Sequence, residues 1–119
     1  MSYKMIVLDL DGTLMSSKNE ILPKTKEALF KAQEHGVMIV LASGRPTYGM
    51  VKAAKELRLD EYPGYILSYN GGRIISVQTN EIIYDDSLTP EICHELYDLS
   101  REMNVNIMAY EDDATTIIR

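Results

Sequence analysis

The sequence predicts an α/β fold built on a parallel β-sheet. Continuous apolar runs at residues 4–10, 37–42 and 65–69 are each followed by a polar, glycine-containing break. Such runs are typical of strands that are buried on both faces of a parallel sheet. Segments with helical signals separate the three runs, so the order is strand, helix, strand, helix, strand. That order favours neighbouring parallel strands joined by right-handed crossovers.

Two helices are predicted between these strands. The first lies between Pro23 and Gly36, because proline is favoured in the first helical turn and glycine just beyond the last. The second covers residues 47–59, where apolar residues recur at helical spacing.

The pattern changes after the third strand. Residues 73–77 and 81–84 predict a β-hairpin. An amphipathic helix is predicted from Thr89 onward, because apolar residues follow at helical spacing as far as Met103. We place a domain boundary near Asp85 or Asp86, which divides the chain into residues 1–85 and 86–119. In the second part, short strands at 105–110 and 115–118 are expected to flank an acidic turn at 111–113.

The first strand ends in the segment Asp9-Leu10-Asp11-Gly12-Thr13. Side chains at i and i+2 of a strand lie on the same side, so Asp9 and Asp11 start close together. Two such carboxylates repel each other unless a cation lies between them, and hard oxygen ligands suit Mg²⁺. Gly12 permits the turn that redirects the second carboxylate. The pair predicts a carboxylate nucleophile beside a carboxyl group that can transfer a proton.

Polar segments also follow the other two strands. They are Ser43-Gly44-Arg45-Pro46 and Asn70-Gly71-Gly72. If the three strands are parallel neighbours, both segments join Asp9 at the carboxyl edge of the sheet, where open α/β sheets bind ligands.

Composition narrows the class of protein. The chain has 119 residues, a formal net charge of −6 and no strongly basic stretch, which argues against nucleic acid as a partner. Cys93 is the only cysteine, so an intrachain disulfide is excluded and a reducing compartment is favoured. No apolar run is long enough to cross a membrane. We therefore expect a cytoplasmic protein without a membrane partner.

The three segments, taken in order, resemble the motifs of the haloacid dehalogenase-like phosphatase superfamily, and most closely its Cof-type branch of sugar-phosphate phosphatases. The resemblance implies that residues 1–85 form the N-terminal part of the phosphatase core, a partial Rossmann-like sheet. It also implies that residues 86–119 begin an α/β cap domain. The expected substrate is a small phosphorylated metabolite.

The resemblance implies a role for each matching residue. Asp9 would attack phosphorus and form an aspartyl-phosphate. Asp11 would protonate the leaving alcohol and then activate the hydrolytic water. Mg²⁺ would be held by the Asp9 carboxylate and the Asp11 backbone carbonyl. The residues expected to bind the phosphate or the substrate are Leu10, Gly12, Thr13, Ser43, Gly44, Arg45, Asn70 and Gly71.

Simpler roles exist for three of these residues. Ser43 could cap the helix that follows it. Arg45 could be a solvated charge, and Asn70 belongs to a sequence that is common in turns.

The chain also departs from the family pattern. Members of this superfamily carry a later lysine and an acidic Gly-Asp loop, and nothing after Gly72 matches either. We therefore expect residues 1–119 to be an N-terminal fragment or a truncated gene product that is poorly active alone. The strand that carries Asp9 would keep an open edge, which invites self-association.

Three other functions stay open. A non-catalytic phosphate- or Mg²⁺-binding module that can also self-associate would explain the missing motifs. A phosphomutase of the same superfamily would pass the phosphate from Asp9 to a sugar. A phosphoacceptor receiver domain fits less well, because the third strand ends in Tyr69 and Asn70 rather than in an aspartate.

Overall fold

The computed structural model describes residues 3–111 and 116–119. They fall into two compact units that divide between Asp85 and Asp86. The assignment of these units as a catalytic core and a cap stays a prediction.

The first unit is a five-stranded mixed sheet with its helices between the parallel strands. Its elements are β1 (Met5–Asp9), α1 (Pro23–Glu34), β2 (Met38–Ala42), α2 (Val51–Glu56), β3 (Gly64–Ser68), β4 (Arg73–Ser76) and β5 (Ile82–Asp85). The strand order is β1-β2-β3-β4-β5. The first three strands are parallel, and β4 and β5 are antiparallel to their neighbours. The predicted α/β fold is therefore confirmed, and the predicted hairpin extends the same sheet.

The core of this unit lies on one face of the sheet. Ile39 and Leu41 of β2 and Ile66 of β3 are buried there. They form one apolar cluster with residues from α1, α2, β4 and the loops; the other members are Leu10, Leu14, Ile21, Leu29, Met50, Ala53, Ala54, Leu57, Leu59 and Ile75. The strand residues that point to the opposite face of β1, Met5 and Val7, are 51% and 55% exposed. β1 is also an edge strand within the described part of the chain.

The first predicted helix is confirmed at both ends. Pro23 occupies the first turn of α1, and Gly36 has a left-handed φ of 84° just beyond its end. The second predicted helix is shorter and less regular than expected. It begins as a 3₁₀ turn over Thr47–Met50, and α2 then ends at Glu56. Gly49 lies inside the 3₁₀ turn, where its low helix propensity favours the tighter start.

The second unit contains one helix and one hairpin. α3 (Pro90–Glu102) starts as predicted, because the Thr89 side chain accepts the Ile92 amide at 3.3 Å and caps the helix. β6 (Met108–Tyr110) pairs antiparallel with β7 (Thr116–Ile118). In the predicted acidic turn and the strand after it, residues 112–115 lie outside the described residues. Within the described residues, no helix is long and apolar enough to cross a membrane.

Candidate active site

Asp9 is the last residue of β1 and lies exposed at the carboxyl edge of the sheet. One of its carboxylate oxygens, Oδ1, accepts the Leu10 backbone amide at 2.9 Å. This hydrogen bond fixes the orientation of the carboxylate. Among the described residues no partner approaches Oδ2, so that oxygen is free to meet a metal ion or an electrophile.

The chain turns sharply after Asp9. Leu10 is fully buried and anchors the turn in the core. The Leu14 amide donates to the Asp9 carbonyl at 3.1 Å, and the Met15 amide donates to the Leu10 carbonyl at 2.9 Å. Gly12 has a φ of 79°, a left-handed conformation that a side chain would strain. The predicted role of this glycine in the turn is confirmed.

Both carboxylate oxygens of Asp11 accept hydrogen bonds from the Arg45 side chain. The Arg45 Nε donates to Asp11 Oδ2 at 3.1 Å, and Nη2 donates to Oδ1 at 2.5 Å. The hydrogen bonds from Arg45 hold the pKa of the Asp11 carboxyl below its ordinary value of 3.8. Asp11 is therefore a carboxylate at neutral pH in this structure.

Ser43 follows β2 and stands beside Asp9 in the same cleft. Its Oγ accepts the Arg45 backbone amide at 3.2 Å, so it stabilises its own turn. It does not cap the following 3₁₀ turn, whose N-cap residue is Pro46. A hydroxyl that accepts one hydrogen bond can still donate its own hydrogen. No acceptor for that hydrogen, and none for the Gly44 amide, is found among the described residues.

Asn70 and Gly71 belong to a left-handed turn after β3. Tyr69, Asn70 and Gly71 have φ values of 53°, 56° and 92°. The turn is tied to the segment after β2, since the Asn70 amide donates to the Ser43 carbonyl at 3.1 Å. A Cβ at position 44 would lie 2.9 Å from Asn70 Oδ1, so the Asn70 side chain packs closely against Gly44.

These segments enclose one cleft of about 340 Å³. It is lined by Asp9, Ala42, Ser43, Gly44, Leu67, Asn70 and Gly71. The structure therefore brings together five of the residues that the sequence singled out. Five other predicted site residues do not line this cleft: Leu10, whose side chain is buried, Asp11, Gly12, Thr13 and Arg45. Their predicted roles toward phosphate stay predictions.

The described residues offer a partial set of metal ligands. No cluster of three or more His, Cys, Asp or Glu side chains is found among them. Mg²⁺ is commonly held by one or two carboxylates together with water and substrate phosphate. The free oxygen of Asp9 fits such a site. Both carboxylate oxygens of Asp11 already accept from Arg45, and the predicted ligand from this residue, its backbone carbonyl, stays a prediction.

Two contacts of Arg45 were not predicted from the sequence. Its Nη2 also donates to Asn19 Oδ1 at 3.2 Å, and its Nη1 donates to the Gly49 carbonyl at 3.2 Å. The only sequence signal for Asn19 is its place in a polar loop, where asparagine tolerates the left-handed φ of 61° that it adopts.

Comparison with known proteins identifies the family of the chain. A family model described as haloacid dehalogenase-like hydrolase matches residues 6–119. The chain belongs to this family. A crystal structure of a haloacid dehalogenase-like hydrolase from Bacteroides thetaiotaomicron superposes with a TM-score of 0.88 at 49% sequence identity, over 98% of this chain and 44% of that one.

Two curated relatives carry phosphatase names. "Putative phosphatase YxeH" of Bacillus subtilis (strain 168) is 40% identical over 101 residues, which cover 85% of this chain and 37% of the relative. "Pyridoxal phosphate phosphatase YbhA" of Escherichia coli (strain K12) is 29% identical over 114 residues, which cover 96% of this chain and 41% of the relative. The matches thus span about two fifths of these relatives.

Proposed function

We propose that this chain carries the nucleophile and the phosphate-binding edge of a Mg²⁺-dependent phosphatase that acts on small phosphorylated metabolites such as sugar phosphates. One observation carries the proposal. A carboxylate with one fixed and one free oxygen, Asp9, shares a cleft with the Ser43 hydroxyl and the Gly44 amide, which both keep a hydrogen to donate. A nucleophile that faces hydrogen-bond donors is the arrangement that phosphoryl transfer needs.

In this proposal, Asp9 Oδ2 attacks phosphorus. The bond from phosphorus to the leaving oxygen breaks, and an aspartyl-phosphate forms. Ser43 and Gly44 donate to the phosphoryl oxygens, whose negative charge they help to stabilise. Mg²⁺, when bound at Asp9, would offset the charge on both the nucleophile and the phosphate.

Asp11 is assigned to proton transfer. As a carboxylate it can accept a proton from the water that hydrolyses the aspartyl-phosphate. To protonate the leaving alcohol in the first step it must itself be protonated, and the bond to Arg45 opposes this form. The free chain is therefore better prepared for the second step than for the first.

A second candidate function is a non-catalytic phosphate- or Mg²⁺-binding module. It is favoured by the lining of the cleft, which includes no cationic side chain among the described residues. Phosphate would then bind through neutral donors and a metal ion alone, without the lysine that the family uses.

The test is Mg²⁺-dependent release of phosphate from an activated aryl phosphate by the purified chain. We expect Asp9→Asn to remove the activity. Asp60→Asn is the matched control, because it makes the same change at an exposed site in the loop that precedes β3. Phosphate release that survives Asp9→Asn contradicts the proposal. Binding of phosphate without any turnover favours the non-catalytic module.

A further inference from the structure

Arg45 is the most extensively hydrogen-bonded side chain at the site. Its guanidinium group makes four hydrogen bonds, two to Asp11, one to Asn19 and one to the Gly49 carbonyl. A guanidinium group has five N–H donors in all. Only one hydrogen, on Nη1, is left for any other acceptor.

The single remaining hydrogen limits how Arg45 can bind phosphate. Arginine binds phosphate most effectively through two parallel N–H groups. With one free hydrogen it can do so only by releasing Asp11, Asn19 or Gly49. Arg45 also does not line the cleft that contains Asp9.

The same bonds fix the position of Asp11. Both of its oxygens accept from the planar Arg45 guanidinium group, which also donates to the Asn19 side chain and to the Gly49 backbone carbonyl. Asn19 lies in the loop between β1 and α1, and Gly49 lies in the 3₁₀ turn before α2. The Arg45 side chain is 29% exposed and the Asp11 side chain is 63% exposed, so the arginine is largely shielded from water and the carboxylate that it holds faces solvent.

We propose that Arg45 is a positioning residue that holds the Asp11 carboxylate in place, that Asn19 anchors Arg45, and that neither residue binds the phosphoryl group. The proposal rests on the proposed function for the role of Asp11 in proton transfer. The clamp itself can be tested without turnover.

The first measurement is ¹⁵N NMR of the arginine side chains in the full chain, with Arg45→Lys used to assign the signals. A clamped guanidinium group rotates slowly and gives separate Nη signals. We expect Asp11→Asn and Asn19→Gly to merge or weaken these signals. Asn80→Gly is the control, because Asn80 also has a left-handed φ, 59°, and it precedes β5, in the segment that joins it to β4. Signals that are insensitive to Asn19→Gly overturn the anchor.

The second measurement compares phosphate binding and turnover. We expect Arg45→Lys to change the inhibition constant of inorganic phosphate by less than about twofold. It should lower kcat by about 10- to 100-fold for a poor leaving group, and less for a good one. Asn19→Gly should act in the same direction with a smaller effect. A loss of phosphate affinity of about tenfold or more, equal for both leaving groups, would make Arg45 a phosphate ligand and overturn the proposal.

The two proposals fail in different ways. If the chain releases no phosphate at all, the proposed function fails for this chain. The NMR signals then still decide whether Arg45 clamps Asp11, and titration with inorganic phosphate shows whether the Arg45 signals respond to it. A direct response overturns the clamp, and an unchanged signal supports it.

Discussion

The two units of the chain differ in how they use their apolar residues. In the first unit, strands and helices bury a continuous cluster in which seven members are completely inaccessible to solvent: Leu10, Ile39, Leu41, Met50, Ala54, Leu57 and Leu59. In the described part of the second unit, the only buried residue is Ser100. Leu99 and Met103 of its amphipathic helix segment are 47% and 62% exposed. Amphipathic spacing thus predicts that a segment is helical. Burial of its apolar side chains also requires a second apolar surface that packs against them.

The largest effect that tests this comparison is on stability. Leu29 in α1 is 8% exposed and Leu99 in α3 is 47% exposed. We expect Leu29→Ala to lower the free energy of unfolding by about 2–5 kcal/mol, since it leaves a cavity in the core. Leu99→Ala should cost about 1 kcal/mol or less, because its side chain is half in water already. Denaturant unfolding of both variants measures the difference, and equal losses would contradict the comparison.

The next effect concerns association. We propose that the chain self-associates through β1, whose outer edge is unpaired among the described residues and whose Val7 is exposed. Val7→Lys should shift the sedimentation profile toward monomer. Val105→Lys is the matched control in the second unit, where Val105 is 52% exposed. Association that responds to Val105→Lys and not to Val7→Lys would move the interface to the second unit.

The smallest effect is the pH dependence that Asp11 contributes. Arg45 lowers the Asp11 pKa in the folded chain, so the pair contributes stability above the ordinary aspartate pKa. That contribution is lost as the pH falls through the lowered value. We expect Arg45→Ala to raise the Asp11 pKa toward 3.8, as measured by NMR titration. Because the Asp11 side chain is exposed, the change in stability should be small. An Asp11 pKa that does not rise would show that the pair is not formed in solution.

Much of the first unit could be predicted because its strands and its first helix are specified by short, local sequence patterns. The apolar runs specify β1, β2 and β3, and Pro23 and Gly36 mark the ends of α1. The polar segments after these strands then meet because parallel neighbours share an edge. This topological rule brings Asp9, Ser43 and Asn70 into one cleft.

Other features depend on contacts that a sequence pattern does not record. The 3₁₀ start at Thr47–Met50 and the left-handed conformation of Tyr69 were not predicted. Arg45 was expected to face phosphate or solvent, and its four hydrogen bonds to Asp11, Asn19 and Gly49 could not be foreseen. The bonds to Asp11 and Asn19 join residues that are far apart in the sequence, so they depend on how the loops pack and not on local propensity.

Covalent trapping shows whether Asp9 is the nucleophile of a phosphoryl transfer. The chain would be mixed with an activated aryl phosphate and Mg²⁺, quenched with acid and reduced with borohydride, which converts an aspartyl-phosphate to homoserine. We expect peptide mass spectrometry to find homoserine at position 9, dependent on the phosphate donor and absent in Asp9→Asn. Unmodified Asp9 in a sample that is releasing phosphate, or a label on another residue, would contradict it.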